Sequence, residues 1–287
     1  MQIYSPINNP LISYQFPEIK KILSEGIGPI DYYQRYLSMD RYRLTCMKWL
    51  QLGTHTKIKG LDDFPYVYAI NGASQFINDL SKIENRKIVL HQNEYGAYHK
   101  ILELYSYPVR VENSYSDMDQ ENPNEVIILS YPVSLNGNKD VGAENLIKNS
   151  KTPIILDSVF LGTNFFDVKL DLKNIETFVF SFSKSFGLAY NRIGILFSKR
   201  EIPEYELYHM HGYLNVHSIH IAMKIMNSYN IDYFTENYKD VYNEACKRKE
   251  CDVGDCILIG QRPSTEADKK VLITDIFDEL INDLRKD

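Results

Sequence analysis

The 287-residue chain has no long apolar run. A helix needs about 20 consecutive apolar residues to cross a bilayer, so no membrane-spanning protein is expected. The chain opens on "MQIYSPINNPLISYQFPEIKK", which lacks the charged start and apolar core of a secretory signal. Basic runs are missing too, and the formal net charge is -6. That balance leaves no electrostatic footprint for nucleic acid or an anionic membrane surface. Cysteine is scarce: Cys46, Cys246, Cys251 and Cys256. The last three recur at five-residue intervals, unlike the close pairs of a zinc site, and read as free thiols of a cytoplasmic protein. Carboxylates are lacking around the histidines of "YHMHGYLNVHSIH", where His217 and His220 lie one helical turn apart, so no metal is expected there. Internal repeats and low-complexity linkers are absent as well.

What is present is ordinary for a globular protein, with 44% hydrophobic and 24% charged residues. The length suits one large domain or two modest ones. Tyrosine is abundant at 22 residues, which suits interfaces or a pocket with polar tips. The middle of the chain is dominated by short β-rich runs: "YVYAI", "KIVLHQ", "EVIILSYP", "PIILDS", "TFVFSFS" and "RIGILFS". Several are apolar nearly throughout, as strands buried on both faces are. Helical segments such as "SQFINDLSKIE" and "EYGAYHKILELYS" lie between them. The alternation predicts an α/β fold, a mainly parallel central sheet with helices on both faces. The stretch "HSIHIAMKIMNSYNIDYFTENYKDVYNEACKRK" reads as one long helix, and "DIFDELINDLRK" as a final amphipathic one. A boundary is expected near the polar "KREIPEYE".

In such folds ligands bind at the carboxyl ends of the strands, and the unusual residues fall there. "FSFSKSFGLAYNRIG" places Lys184 beside Ser181, Ser183 and Arg192. A lysine so placed suits two tasks, phosphate binding or Schiff-base formation, the latter requiring an unprotonated amine. Arginine and serine grip phosphate well, as do the backbone amides of "NGAS" where a helix begins. One ligand combines a phosphate with an aldehyde at lysine distance: pyridoxal 5'-phosphate. Its ring nitrogen calls for a buried carboxylate, and Asp157 ends the "PIILD" run. Its ring faces call for an aromatic, which Tyr95 supplies, and its phenolic oxygen for a donor, with Ser134 on the right loop.

These residues resemble the fold-type I pyridoxal-phosphate enzymes, and most closely the class I/II aminotransferases of the histidinol-phosphate type. "SFSKSFGLAYNRIG" matches that family's S-x-S-K-x-x-G-x-x-x-x-R-x-G signature. The resemblance implies an aspartate aminotransferase-like fold in which Lys184 forms the Schiff base and then moves a proton at the substrate. It implies that Ser181, Ser183 and Arg192 hold the phosphate together with Gly72, Ala73 and Ser74, that Tyr95 stacks on the ring, and that Asp157 pairs with its nitrogen. "MDRYR" resembles the segment that lends a tyrosine, here Tyr42, to a neighbouring subunit's phosphate. A homodimer is therefore implied, acting on small amino acid and keto or aldehyde substrates. The motifs follow the family's order over residues 41–194.

Three departures stand out. "VSLNG" replaces an Asn-Asn-Pro-Thr-Gly stretch, so Ser134 falls where an asparagine would bind the phenolic oxygen. Phe160 stands where a tyrosine would add a hydroxyl. The C-terminal part is short, and Arg262 is the nearest match to the arginine that clamps a substrate carboxylate. The expected organisation is a large cofactor-binding domain over 45–204, with 1–44 and 205–287 forming an N-terminal segment and a reduced small domain. The leading function is amino-group transfer. Decarboxylation or elimination at an amino acid, and a degenerate protein that only binds the cofactor, remain as alternatives.

Overall fold

Along Glu125–Ser130 every residue is buried, and along Lys87–His91 all but the first. Such strands need cover on both faces, and the computed structural model, which describes residues 13–26, 28, 32–261 and 270–284, supplies it. The chain begins with helices α1 (Pro17–Glu25) and α2 (Tyr32–Leu50), then strands β1 (Thr56–Lys59) and β2 (Tyr66–Ile70). Strands and helices then alternate through α3 (Ala73–Ile83), β3 (Lys87–His91), α4 (Gly96–Leu104), β4 (Val109–Glu112), α5 (Tyr115–Met118), β5 (Glu125–Ser130), α6 (Val141–Asn149) and β6 (Ile154–Asp157). Next come β7 (Val168–Asp171), β8 (Ile175–Ser181), the single turn α7 (Phe182–Ser185), β9 (Gly194–Ser198) and α8 (Pro203–Met210). Helices α9 (Val216–Ser228), α10 (Tyr233–Asn237) and α11 (Lys239–Arg248), the strands β10 (Ile259–Gln261) and β11 (Lys270–Leu272), and α12 (Phe277–Leu284) complete it.

Seven strands form the main sheet in the order β2-β9-β8-β6-β5-β3-β4. Neighbours run parallel except β9, which is antiparallel to both β8 and β2. Alternate side chains divide between two cores, as the pleat requires. Val89, Ile127, Leu129, Phe178 and Phe180 face the core built with α1, α2, α6 and the C-terminal helices. Ile88, Leu90, Val126, Ile128 and Val179 face the other, built with α3, α4 and α8.

The expected domain limits, after residues 44 and 204, fall inside helices α2 and α8. One expectation is corrected. The single long helix is three, broken at Tyr229–Asp232 and again at Tyr238. At the first break the Asn230 side chain accepts from the Asp232 amide at 2.9 Å. Short polar side chains compete in this way with the helical ladder. Among the described residues no helix is long and apolar enough to cross a membrane.

Candidate active site

Lys184 sits on α7, directly after β8. Three aromatic residues seat this turn: Phe180, Phe182 and Phe186 are fully buried and pack on the Trp49 ring at 5.7, 5.5 and 5.5 Å between centroids. With those rings below, Ser181 caps the turn, its Oγ accepting from the Ser183 amide at 3.3 Å and lying 2.9 Å from Ser183 Oγ. The Lys184 ammonium lies 5.6 Å from the centre of the Phe160 ring, which follows β6.

One strand over, the register pairs Ser181 with Gly194 and Gly194 with Ile70. This brings the turn between β2 and α3 alongside. Gly72 has φ +72°, a conformation that favours glycine. A Cβ there would come within 2.7 Å of Arg192 Nη2. Arg192 donates to the carbonyls of Ala189 at 2.8 Å and Asn71 at 3.1 Å, and to the Ser74 hydroxyl. Gly72, the N-cap of α3, makes no side-chain cap bond, and a helix N-terminus of this kind presents its leading amides, here those of Ala73 and Ser74, to an anion. A guanidinium, two strand-end hydroxyls and a helix N-terminus make a cradle for an anion. It adjoins a cleft of about 490 Å³ lined by Asn71, Ser74, Gln75, Tyr208 and Tyr213.

On the other side of β8, the register pairs Asp157 with Val179. Its carboxyl is buried and accepts from the Tyr98 hydroxyl at 2.8 Å and the Val159 amide at 3.1 Å. It stands at about 7 as the net of burial, which raises it most, the Tyr98 hydroxyl, which lowers it, the nearby Glu94 charge, which raises it, and the Val159 amide, which lowers it. Tyr95 opens α4, its ring half exposed and edge-on to Tyr98 at 6.4 Å. Glu94 is buried and gathers donors from Ser130, Ser134 and the Tyr95 amide.

No family model matches the chain, and no curated protein matches it. Solved structures do. An aminotransferase from Staphylococcus aureus matches 88% of this chain and 74% of its own, with TM-score 0.62 at 14% identity. The aspartate aminotransferase of Rhizobium meliloti matches 86% and 72%, with TM-score 0.62 at 13% identity. The fold is that of the aspartate aminotransferases. A pyridoxal-phosphate-bound C–S lyase from Staphylococcus hominis shares it across 84% of this chain and 70% of its own, with TM-score 0.55 at 11% identity.

Within this aminotransferase fold, Lys184, Asp157, Tyr95, Gly72, Ala73, Ser74, Ser181, Ser183 and Arg192 gather at one end of the sheet. Phe160 lies under the Lys184 ammonium, and Ser134 reaches the same cluster through Glu94, to which its hydroxyl donates at 3.0 Å. Tyr42 is fully buried, and its hydroxyl donates to this chain's own Gly194 carbonyl at 2.9 Å. Arg262 lies outside the described residues. Among the described residues no group of three His, Cys, Asp or Glu side chains is placed to hold a metal. Tyr98 and Glu94 were missed. The three-residue spacing of Tyr95 and Tyr98 at a helix start was a signal for the first, while an acid beside a tyrosine gives none for the second.

Proposed function

We propose that the chain binds pyridoxal 5'-phosphate and, through Lys184, passes an amino group from an amino acid to a keto or aldehyde acceptor. One observation carries the reading: β6 presents a buried carboxyl, the α7 turn after β8 a lysine, and the start of β9 with the β2–α3 turn an anion cradle, all at one end of one sheet. The residues fit the cofactor chemically. Arg192, Ser74, Ser181 and the leading amides of α3 suit its phosphate. Asp157 suits its ring nitrogen and Tyr95 its ring face. When bound, this cofactor supplies an aldehyde for imine formation and an electron sink for the carbanion chemistry.

The rest falls to the chain. Lys184 supplies the amine and then carries the proton at the substrate α-carbon. Asp157, raised to about 7 chiefly by burial, shows no positive partner among the described residues and would gain one in a protonated ring nitrogen. Tyr98 holds its carboxyl in place at 2.8 Å. Arg192, fixed by two carbonyls, would hold the phosphate and so orient the cofactor towards Lys184.

Borohydride reduction of the cofactor-treated protein should leave a phosphopyridoxyl group on Lys184 in peptide mass spectra, and none in Lys184→Ala. An unmodified Lys184 would overturn the reading. Amino donors should then convert the bound cofactor to its amine form with release of a keto acid. Lyase chemistry is the second reading, supported by the shared fold of the C–S lyase. It would return the aldehyde form, and a degenerate protein would leave it untouched by every donor. We take the working unit to be a homodimer in the cytoplasm, covering exposed Tyr208 and Tyr213 beside the phosphate turn. Sedimentation at the mass of a single chain would remove that part of the proposal.

A further inference from the structure

Glu94 has no task in the chemistry above, yet it is buried against the site. Four donors converge on it. Oε1 accepts from the Ser130 hydroxyl at 2.5 Å, the Tyr95 amide at 2.7 Å and the Ser134 hydroxyl at 3.0 Å. Oε2 accepts from the Ser130 amide at 2.8 Å. Backbone amides can only donate, and one of them faces each oxygen, so both oxygens are held as acceptors. The cluster adjoins Asp157 directly: Ser130 pairs with Asp157 across the β5–β6 register, and the Tyr131 amide donates to the Asp157 carbonyl at 3.0 Å.

This arrangement decides what Ser134 can offer. A serine hydroxyl has one proton and two lone pairs. Ser134 spends its proton on Glu94, so any ligand oxygen beside it meets lone pairs, with a carboxylate behind them. Phe160, on the neighbouring strand end, has no hydroxyl to add. An oxyanion at that position would face the lone pairs of Ser134, whereas a hydroxyl would bring the missing proton.

We infer that Glu94 orients Ser134 as a hydrogen-bond acceptor, so that the site takes the cofactor's ring hydroxyl as neutral OH and not as the oxyanion. Glu94 is in this sense a positioning residue that acts through Ser134. The inference rests on the pyridoxal-phosphate reading above and specifies a property of that same site.

The test is the absorption spectrum of the full chain loaded with pyridoxal 5'-phosphate at neutral pH. With the imine protonated, the oxyanion form absorbs in the visible, and the form with a neutral ring hydroxyl absorbs in the near ultraviolet at shorter wavelength than the unprotonated imine. The wild-type protein should show mainly the near-ultraviolet band. Glu94→Gln should raise the ratio of visible to near-ultraviolet absorption about tenfold, the size of effect one hydrogen bond to a charged group can exert. Ser134→Asn should move it the same way, because its amide donates to Glu94 and to the ring oxygen together. A wild-type spectrum dominated by the visible band overturns the inference without any variant having to fold. So does an unchanged ratio in Glu94→Gln. Loading is judged separately, by the reduced label on Lys184. A labelled Lys184 with the wrong spectrum overturns only the role of Glu94, and an unlabelled one overturns the cofactor reading with it.

Discussion

Asp157 and His209 pull the acid stability of the protein in opposite directions. The carboxyl of Asp157 stands at about 7 in the fold, well above its ordinary value, because burial penalises its charge. Between roughly pH 4 and 7 the folded protein therefore holds a proton that the unfolded chain has released, and stability falls as pH rises through that window. His209 is buried against β2, where its Nε2 accepts from the Ala69 amide at 3.0 Å. Burial, with the Arg43 charge, pushes it down to about 4. Its contribution is present above about pH 6.5 and is lost as pH falls towards 4. The two slopes offset each other in the wild type. Asp157→Asn removes only the first, so the cofactor-free variant should gain on the wild type as pH rises from 4 to 7, by roughly 2–4 kcal/mol. Urea titrations of both proteins across that range check it, and parallel curves would show that Asp157 is not buried as a neutral acid. At this scale the sequence was informative where chemistry follows spacing. Lys184, Ser181 and Arg192 are set by one short motif, and Asp157 by the end of an apolar run. Glu94 and Tyr98 were hidden because their roles depend on burial and on partners 36 and 59 residues away.

Among the elements, buried strands were legible and edge strands were not. All six apolar runs of the middle region are strands of the main sheet. β4, at the sheet edge, alternates exposed and half-buried residues, and β1 and β7 pair only with each other and are exposed at every second position. Neither pattern stands out from a polar loop. The break after α9 was illegible for another reason: it is held from elsewhere in the chain. Asp232 accepts from the amides of His55 at 2.8 Å and Thr56 at 2.9 Å, and from the Thr56 hydroxyl at 2.6 Å. The Tyr229 carbonyl, released from the helix, accepts from the Trp49 indole at 2.7 Å. Helical periodicity continues through the break because Ile231 and Phe234 still face the core. Asp232→Ala would strand two backbone donors and a hydroxyl in a buried place, at a cost of about 2–4 kcal/mol. The expected result is a lower urea midpoint with an unchanged slope. A cost below about 0.5 kcal/mol, within the range of an ordinary surface substitution, would mean that water replaces the carboxylate.

Across the whole molecule, the stretch before α1 joins the Lys184 turn to the far end of the chain. The Ser13 hydroxyl donates to the Ser183 carbonyl at 2.7 Å, and the Gln15 amide group to the Gly187 carbonyl at 3.1 Å. Gly187 itself, at φ +66°, has no room for a Cβ beside the Tyr14 backbone. Between these two anchors Tyr14 turns the other way. Its ring meets Phe277 at 5.2 Å and its hydroxyl donates to Asp278 at 2.5 Å, both on α12. Phe16 then stacks on Phe234 at 4.1 Å. The core on this face of the sheet is accordingly continuous from Tyr14 to Ile281. Tyr14→Ala should lower stability by about 2–4 kcal/mol through the lost ring and hydrogen bond. It should also speed amide exchange in residues 183–188, although the Tyr14 side chain bonds to none of them, because Ser13 and Gln15 lose the anchor that holds them in place. Hydrogen exchange read at those amides decides between coupling and simple packing. A destabilised variant whose Lys184 turn stays as protected as before, relative to global unfolding, would show that α12 and that turn are not mechanically joined.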